Sequence, residues 1–157
     1  MGKIYDIFAG RGFSECHRTV DNDDGMRQTL ELADRDFEGL CFVNLVDFDS
    51  AFGHRNDPHG YAAAMTAFDA HLGALREKLR EDDLLIVTAD HGCDPSTTSS
   101  DHSREYTPML ICGSGVREGV DLGTRATFAD IGATVMDFLG AKSRMRIGES
   151  FLDAVRK

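Results

Sequence analysis

The stretch that decides the fold is "DLLIVTADHGCDPSTTSSDHSREYTPMLICG", residues 83–113. Its two ends, "DLLIVTA" (83–89) and "TPMLICG" (107–113), are short apolar runs that read as strands buried in a sheet. Between them lies a polar loop that carries the pair Asp-His twice, as Asp90-His91 and Asp101-His102. Working outward, "LCFVNLV" (40–46) predicts a third strand, and "KIYDIF" (3–8) predicts a fourth, closed by the glycine turn "AGRGFSE". Helical spacing fills the gaps. Met26, Leu30, Ala33 and Phe37 recur behind the Asp and Asn caps of "VDNDDG". Ala64, Phe68, Leu72, Leu75 and Leu79 share one face of a predicted helix over 60–81 with a basic last turn. A last helix over 124–140 takes Thr127 as its cap and Gly140 as its stop. The order β-α-β-α-β-β-α predicts an α/β sandwich with a mostly parallel sheet, in which ligands collect at the carboxyl ends of strands.

With 157 residues, the chain is long enough for one domain with an apolar core. A formal charge of -10 argues against nucleic acid as a partner but leaves room for a phosphorylated small molecule, because bound divalent cations reverse the local sign. No apolar run approaches the roughly 20 residues that span a bilayer, and the first residues do not read as a signal peptide, so no membrane partner is expected. Cys16, Cys41, Cys93 and Cys112 follow neither a zinc-knuckle nor a disulfide spacing, which points to a reducing cytoplasm. Cys41 and Cys112 read as small core residues, whereas Cys93 is close enough to the histidines in sequence to be a soft ligand or a bystander.

The chemistry gathers at two predicted strand ends. After 40–46 come Asp47, Asp49, His54, Asp57 and His59; after 83–89 come Asp90, His91, Asp94, Asp101 and His102. Mixed carboxylate and imidazole donors suit Zn, Mn or Fe better than Mg or Ca. Two such sets on neighbouring strands could hold two ions about 3.5–4 Å apart, as in phosphoryl chemistry.

"ADHGCDP", "SDHSREYTP", "NLVDFDSAFGHRND" and "GKIYDIFAGRG" together closely resemble the phosphopentomutases, of the alkaline-phosphatase-like metalloenzyme superfamily. The likeness also takes in "DNDDGM" and "IGESFLD" and runs through essentially the whole chain. It implies a three-layer sandwich and a pair of Mn2+ ions, with Asp90 and His91 on one ion and Asp49, His54 and His102 on the other. It implies that Lys3 helps to hold the substrate phosphate, although from its own residue type Lys3 reads as a solvated lysine. Asp47, His59 and Asp101 match no ligand position of the family. Arg55 and Arg104 read equally as anion holders and as solvent-facing salt bridges, and Phe52 stands where a tyrosine is common. The reaction implied is phosphoryl transfer between the C1 and C5 oxygens of ribose or deoxyribose, by way of a phosphorylated threonine primed by a sugar bisphosphate.

Family chains are more than twice this long, so residues 1–157 are expected to be the C-terminal portion of the core domain. The first core strand, its metal-ligating aspartate, the nucleophilic threonine and the cap are expected to be absent. Thr19, Thr88 and Thr97 do not stand in the nucleophile's context, so no catalytic nucleophile is assigned. One metal site is therefore expected to persist and the other to be weak, with the chain inactive alone. An exposed sheet edge would favour a homo-oligomer or a complementary N-terminal chain. Two other readings stay open: a phosphatase of the same superfamily, and a non-catalytic metal-binding piece.

Overall fold

A computed structural model describes residues 1–142 and 147–157. The described chain forms helices α1 (Ile4–Ile7), α2 (Asn22–Ala33) and α3 (Pro58–Arg76), strands β1 (Leu85–Thr88) and β2 (Met109–Cys112), and helices α4 (Ala129–Phe138) and α5 (Leu152–Val155). β1 and β2 are neighbours in a two-stranded sheet. The class is α/β. Two of the four predicted strands are present, and two are corrected.

The first correction is at the N-terminus, where "IYDI" is a helical turn. The Lys3 carbonyl accepts the N–H groups of Asp6 and Ile7, both at 3.1 Å, so the backbone is satisfied locally. β-propensity stabilises a strand only where a neighbouring strand takes up those groups. The glycine turn that follows is real: Ala9 and Gly10 have φ of 51° and 70°, and Gly10 N–H returns to the Tyr5 carbonyl at 2.9 Å. The second correction is at 40–46, which pairs with no strand among the described residues. Met1 runs beside this segment instead, its ammonium donating to the Phe42 carbonyl at 2.6 Å. Leu40 and Phe42 are left exposed, as is Leu110 of β2.

The chain divides into two compact units. The first comprises Met1–Phe37, Cys41–Leu79 and Ile86–Leu110. In it α2 packs on α3. Asp21 caps α2 by accepting the Asp24 N–H at 2.8 Å, and the helix buries Asn22, Gly25, Met26 and Thr29. It ends at Ala33, so Phe37 of the predicted stripe lies beyond it and is exposed. α3 begins at Pro58, ahead of the predicted start at 60, and Asp57, a candidate ligand by residue type, instead caps it by accepting the Gly60 N–H at 2.8 Å. Its less exposed positions include Ala64, Phe68, Leu72 and Leu75 of the predicted face, and it ends at Arg76, so Leu79 lies beyond it.

The second unit comprises Glu38–Leu40, Arg80–Leu85 and Ile111–Lys157. Its core is Phe151, Leu152 and Val155, with the fully buried Thr134 on α4. Thr127 accepts the Ala129 N–H at 3.2 Å at the start of α4, and Gly140, at φ 63°, follows its end. Among the described residues no helix is long and apolar enough to cross a membrane.

Candidate metal centre

Two loops of the first unit build the centre, and each is shaped by identifiable residues. The first runs from Asp47 to Asp57. Asp47 and Asn22 clasp reciprocally: the Asn22 N–H donates to the Asp47 carboxylate at 2.8 Å, and the Asp47 N–H donates to the Asn22 amide oxygen at 3.0 Å. This anchors the loop to the first turn of α2. A wide π-helical turn, Phe48–Phe52, then gives way to a tight 3-10 turn, Gly53–Arg55. The change of winding brings residues five apart together, with His54 Nε2 3.3 Å from Asp49 Oδ1. Gly53 permits it, since a Cβ there would overlap the Cys93 sulfur and lie 3.0 Å from the Phe48 carbonyl.

The second loop leaves β1 and returns upon itself. Gly92 and Ser103 form an antiparallel bridge, with the Ser103 N–H on the Gly92 carbonyl at 3.1 Å. The strands approach so closely that a Cβ on Gly92 would meet the Ser103 carbonyl at 2.6 Å and Glu105 backbone atoms at 2.8 and 2.9 Å. Ser103 also accepts the Asp94 N–H at 2.7 Å. This closure stacks the rings of His91 and His102, whose centroids are 3.6 Å apart at 16°.

Asp49 Oδ1 lies at the meeting point. His54, His102 and His91 present Nε2 to it at 3.3, 3.4 and 3.9 Å. That oxygen is buried and has no hydrogen-bond partner among the described residues. Two of the imidazoles are already engaged at their other ring nitrogen. His54 Nδ1 is 2.5 Å from the Ser100 carbonyl and His91 Nδ1 is 3.0 Å from the Gly92 carbonyl. A carbonyl only accepts, so each Nδ1 carries a proton, and in the neutral ring each Nε2 then shows a lone pair. Lone pairs facing a buried carboxylate oxygen are costly until a cation enters between them. Asp49, His54 and His102 can place one ligand atom each within 4.8 Å of one another. The donor set fits a transition-metal ion by this test.

The remaining sequence candidates fall elsewhere. Asp90 is largely exposed, with its carboxylate 3.7 Å from His91 Nε2. Lys3 is exposed at the start of α1, with no hydrogen bond or ion pair to the histidines among the described residues. Asp94 turns onto its own loop, accepting from the Ser96 hydroxyl and N–H at 2.6 and 2.9 Å, and these bonds hold its carboxyl below the ordinary range. His59, Asp101, Arg55 and Arg104 are exposed. Cys93 is outside the three-residue group; burial, then the negative charge of Asp49, Glu105 and Asp94, pushes its thiol pKa up and favours the protonated form. The sequence reading missed Asn56, whose amide links the two loops. Its only signal was an Asn directly before the Asp-Pro helix start.

A mixed carboxylate–imidazole centre on an α/β frame is the mark of a metalloenzyme, and the Metalloenzyme superfamily pattern matches residues 7–143. The chain belongs to that superfamily. Its relatives include the phosphopentomutase of Carboxydothermus hydrogenoformans, 55% identical over all 157 residues, and that of Lachnoclostridium phytofermentans, 52% identical over the same span. The phosphopentomutase of Anaeromyxobacter sp. (strain K) is 54% identical over 157 residues. The chain spans 40% of the length of each of these relatives.

Proposed function

We propose that this chain is the metal-bearing C-terminal part of a phosphopentomutase core. The whole protein would interconvert (deoxy)ribose 1-phosphate and (deoxy)ribose 5-phosphate in the cytoplasm. The observation that carries this reading is the buried, unpartnered Asp49 Oδ1 facing three imidazole nitrogens, in a chain at least half identical to several phosphopentomutases. Asp49, His54 and His102 would hold one Mn2+. Asp90 and His91 would contribute to a second, completed by ligands from sequence outside this chain. Bound there, the ions would offset negative charge on the phosphoryl oxygens and lower the pKa of an attacking hydroxyl.

This chain's own residues prepare that chemistry. The Nδ1–H bonds to Ser100 and Gly92 fix the direction of His54 and His91, so little ordering is left for the moment of binding. Lys3 would meet the substrate phosphate as a point charge. The nucleophilic threonine, primed by a sugar bisphosphate, and the cap over the sugar would come from outside residues 1–157. In the assembled core β1 and β2 would belong to a larger, mostly parallel sheet in a three-layer sandwich. Exposed Leu40, Phe42 and Leu110 support such a covering, whether by a complementary N-terminal chain or a second copy.

Calorimetric titration of the 157-residue chain with Mn2+ tests the reading. One tight site and one weak site are expected; two tight sites, or none, would refute it. Adding the complementary N-terminal segment should restore ribose 5-phosphate isomerisation, and phosphate release without isomerisation would turn the reading to a hydrolase.

A further inference from the structure

Asn56 ends the 3-10 turn that carries His54, in the left-handed conformation (φ 51°, ψ 42°). Its amide faces the other loop, with Nδ2 donating to the carbonyls of Thr97 at 2.9 Å and Ser99 at 2.8 Å. Both amide protons are thereby used. The next carbonyl along, that of Ser100, accepts from His54 Nδ1 at 2.5 Å. Thr97 tightens the same turn, its hydroxyl 3.1 Å from the carbonyls of both Asp94 and Ser99. Two residues after Ser100 comes His102.

We propose that Asn56 is a positioning residue for the metal centre. By holding the carbonyls of Thr97 and Ser99 it fixes the Ser100 carbonyl, which keeps His54 in the tautomer that shows Nε2 to Asp49. By the same bonds it sets where the loop delivers His102. Asparagine combines two requirements: it tolerates the left-handed backbone, and it carries two donors on a short stem. Glycine meets only the first. Aspartate would turn acceptors toward carbonyls. The hydrogen-bonded part stands on the structure; the consequence for ion binding rests on the proposed function.

The test uses the full chain with Asn56→Gly and Asn56→Asp, both compatible with the backbone. In metal-free protein, long-range proton–nitrogen spectra should show His54 protonated at Nδ1 in the wild type and redistributed between its nitrogens in both variants. Mn2+ affinity by calorimetry should fall about 10- to 100-fold, the usual effect of removing a group that orients a ligand. Unchanged His54 spectra together with affinities within about twofold of wild type would overturn the proposal. If the wild type binds no Mn2+ but the His54 signals still shift in the variants, the proposed function fails and the positioning role survives. Should neither variant fold, the wild-type Asn56 amide protons decide: protection from solvent exchange supports the role, and exchange at the rate of a free amide refutes it.

Discussion

Two aspartates, one in each unit, show how the same side chain serves opposite ends. Asp130 is 4% exposed, and both carboxylate oxygens are engaged, with the Glu149 N–H on Oδ1 at 2.9 Å and Arg125 Nε on Oδ2 at 2.7 Å. Those two groups, Glu149 first, hold its carboxyl below the usual range. Asp49, whose side chain is 28% exposed, has one buried oxygen, ringed by three imidazoles and hydrogen-bonded to none among the described residues. A saturated carboxylate fastens the fold, whereas an unsaturated one stores a cost that a cation removes.

The largest contrast is expected from converting each to its amide. Asp49→Asn should weaken Mn2+ by more than about 100-fold, since it removes the charged ligand itself. Its metal-free melting temperature should equal or exceed that of the wild type, because an amide N–H can donate to an imidazole lone pair where the carboxylate could not. Asp130→Asn should do the reverse, lowering the melting temperature and leaving Mn2+ affinity intact. Calorimetry and thermal unfolding of both variants check the pair; a destabilised metal-free Asp49→Asn protein would break the comparison.

The two glycines of the centre sharpen it next. The three atoms nearest a methyl group on Gly92 are all backbone, at 2.6 to 2.9 Å, so moving a side chain aside would not relieve Gly92→Ala. Gly53→Ala would meet first the Cys93 sulfur, which can move or be removed, and then the Phe48 carbonyl at a milder 3.0 Å. Gly92→Ala should therefore abolish metal binding with no second-site rescue. Gly53→Ala should lose affinity and about 1–3 kcal/mol of stability. Much of both should return in the Gly53→Ala, Cys93→Gly double variant, as measured by urea unfolding and titration.

What the sequence disclosed follows from the range of each signal. Helix faces, caps and stops are local, and so the Asp21 cap of α2, Thr127 and Gly140 could be read directly, whereas apolar spacing alone puts the start of α3 at 60, past Pro58. Strands are not local. "IYDI" and "LCFVNLV" carry β-rich or apolar residues but pair with no strand in the described chain, while 83–89 and 107–113 have each other. Asp49, His54 and His102 were candidates by residue type and by resemblance. The orientation of His54 depends on the Ser100 carbonyl and that of His91 on the Gly92 carbonyl, which leave no mark on composition or spacing. The same holds for Asn56, whose partners lie more than forty residues away at Thr97 and Ser99.

Around Asp130 a smaller effect isolates one hydrogen bond. Thr134 is fully buried; its hydroxyl donates to the Asp130 carbonyl at 2.8 Å and accepts the Phe151 N–H at 3.0 Å. Thr134→Val keeps the shape and orphans that N–H, so unfolding free energy should drop by about 1–3 kcal/mol. Chemical denaturation checks this, and a loss under about 0.5 kcal/mol would mean the N–H finds another acceptor.

The smallest effect is in the pH dependence. Because the folded pKa of Asp130 is lowered from 3.8, the unfolded state binds a proton more readily than the folded state. Its contribution to stability is complete well above 3.8 and is lost as pH falls through the lower folded value. Asp130→Asn removes this group's share, so below pH 3.8 the variant's stability should fall less steeply than the wild type's. Asp24 and Asp94, held low by their own hydrogen bonds, leave a residual slope in both proteins. Equal slopes for the two proteins would show that Glu149 and Arg125 favour the carboxylate no more than water does, and would remove the distinction between the two aspartates.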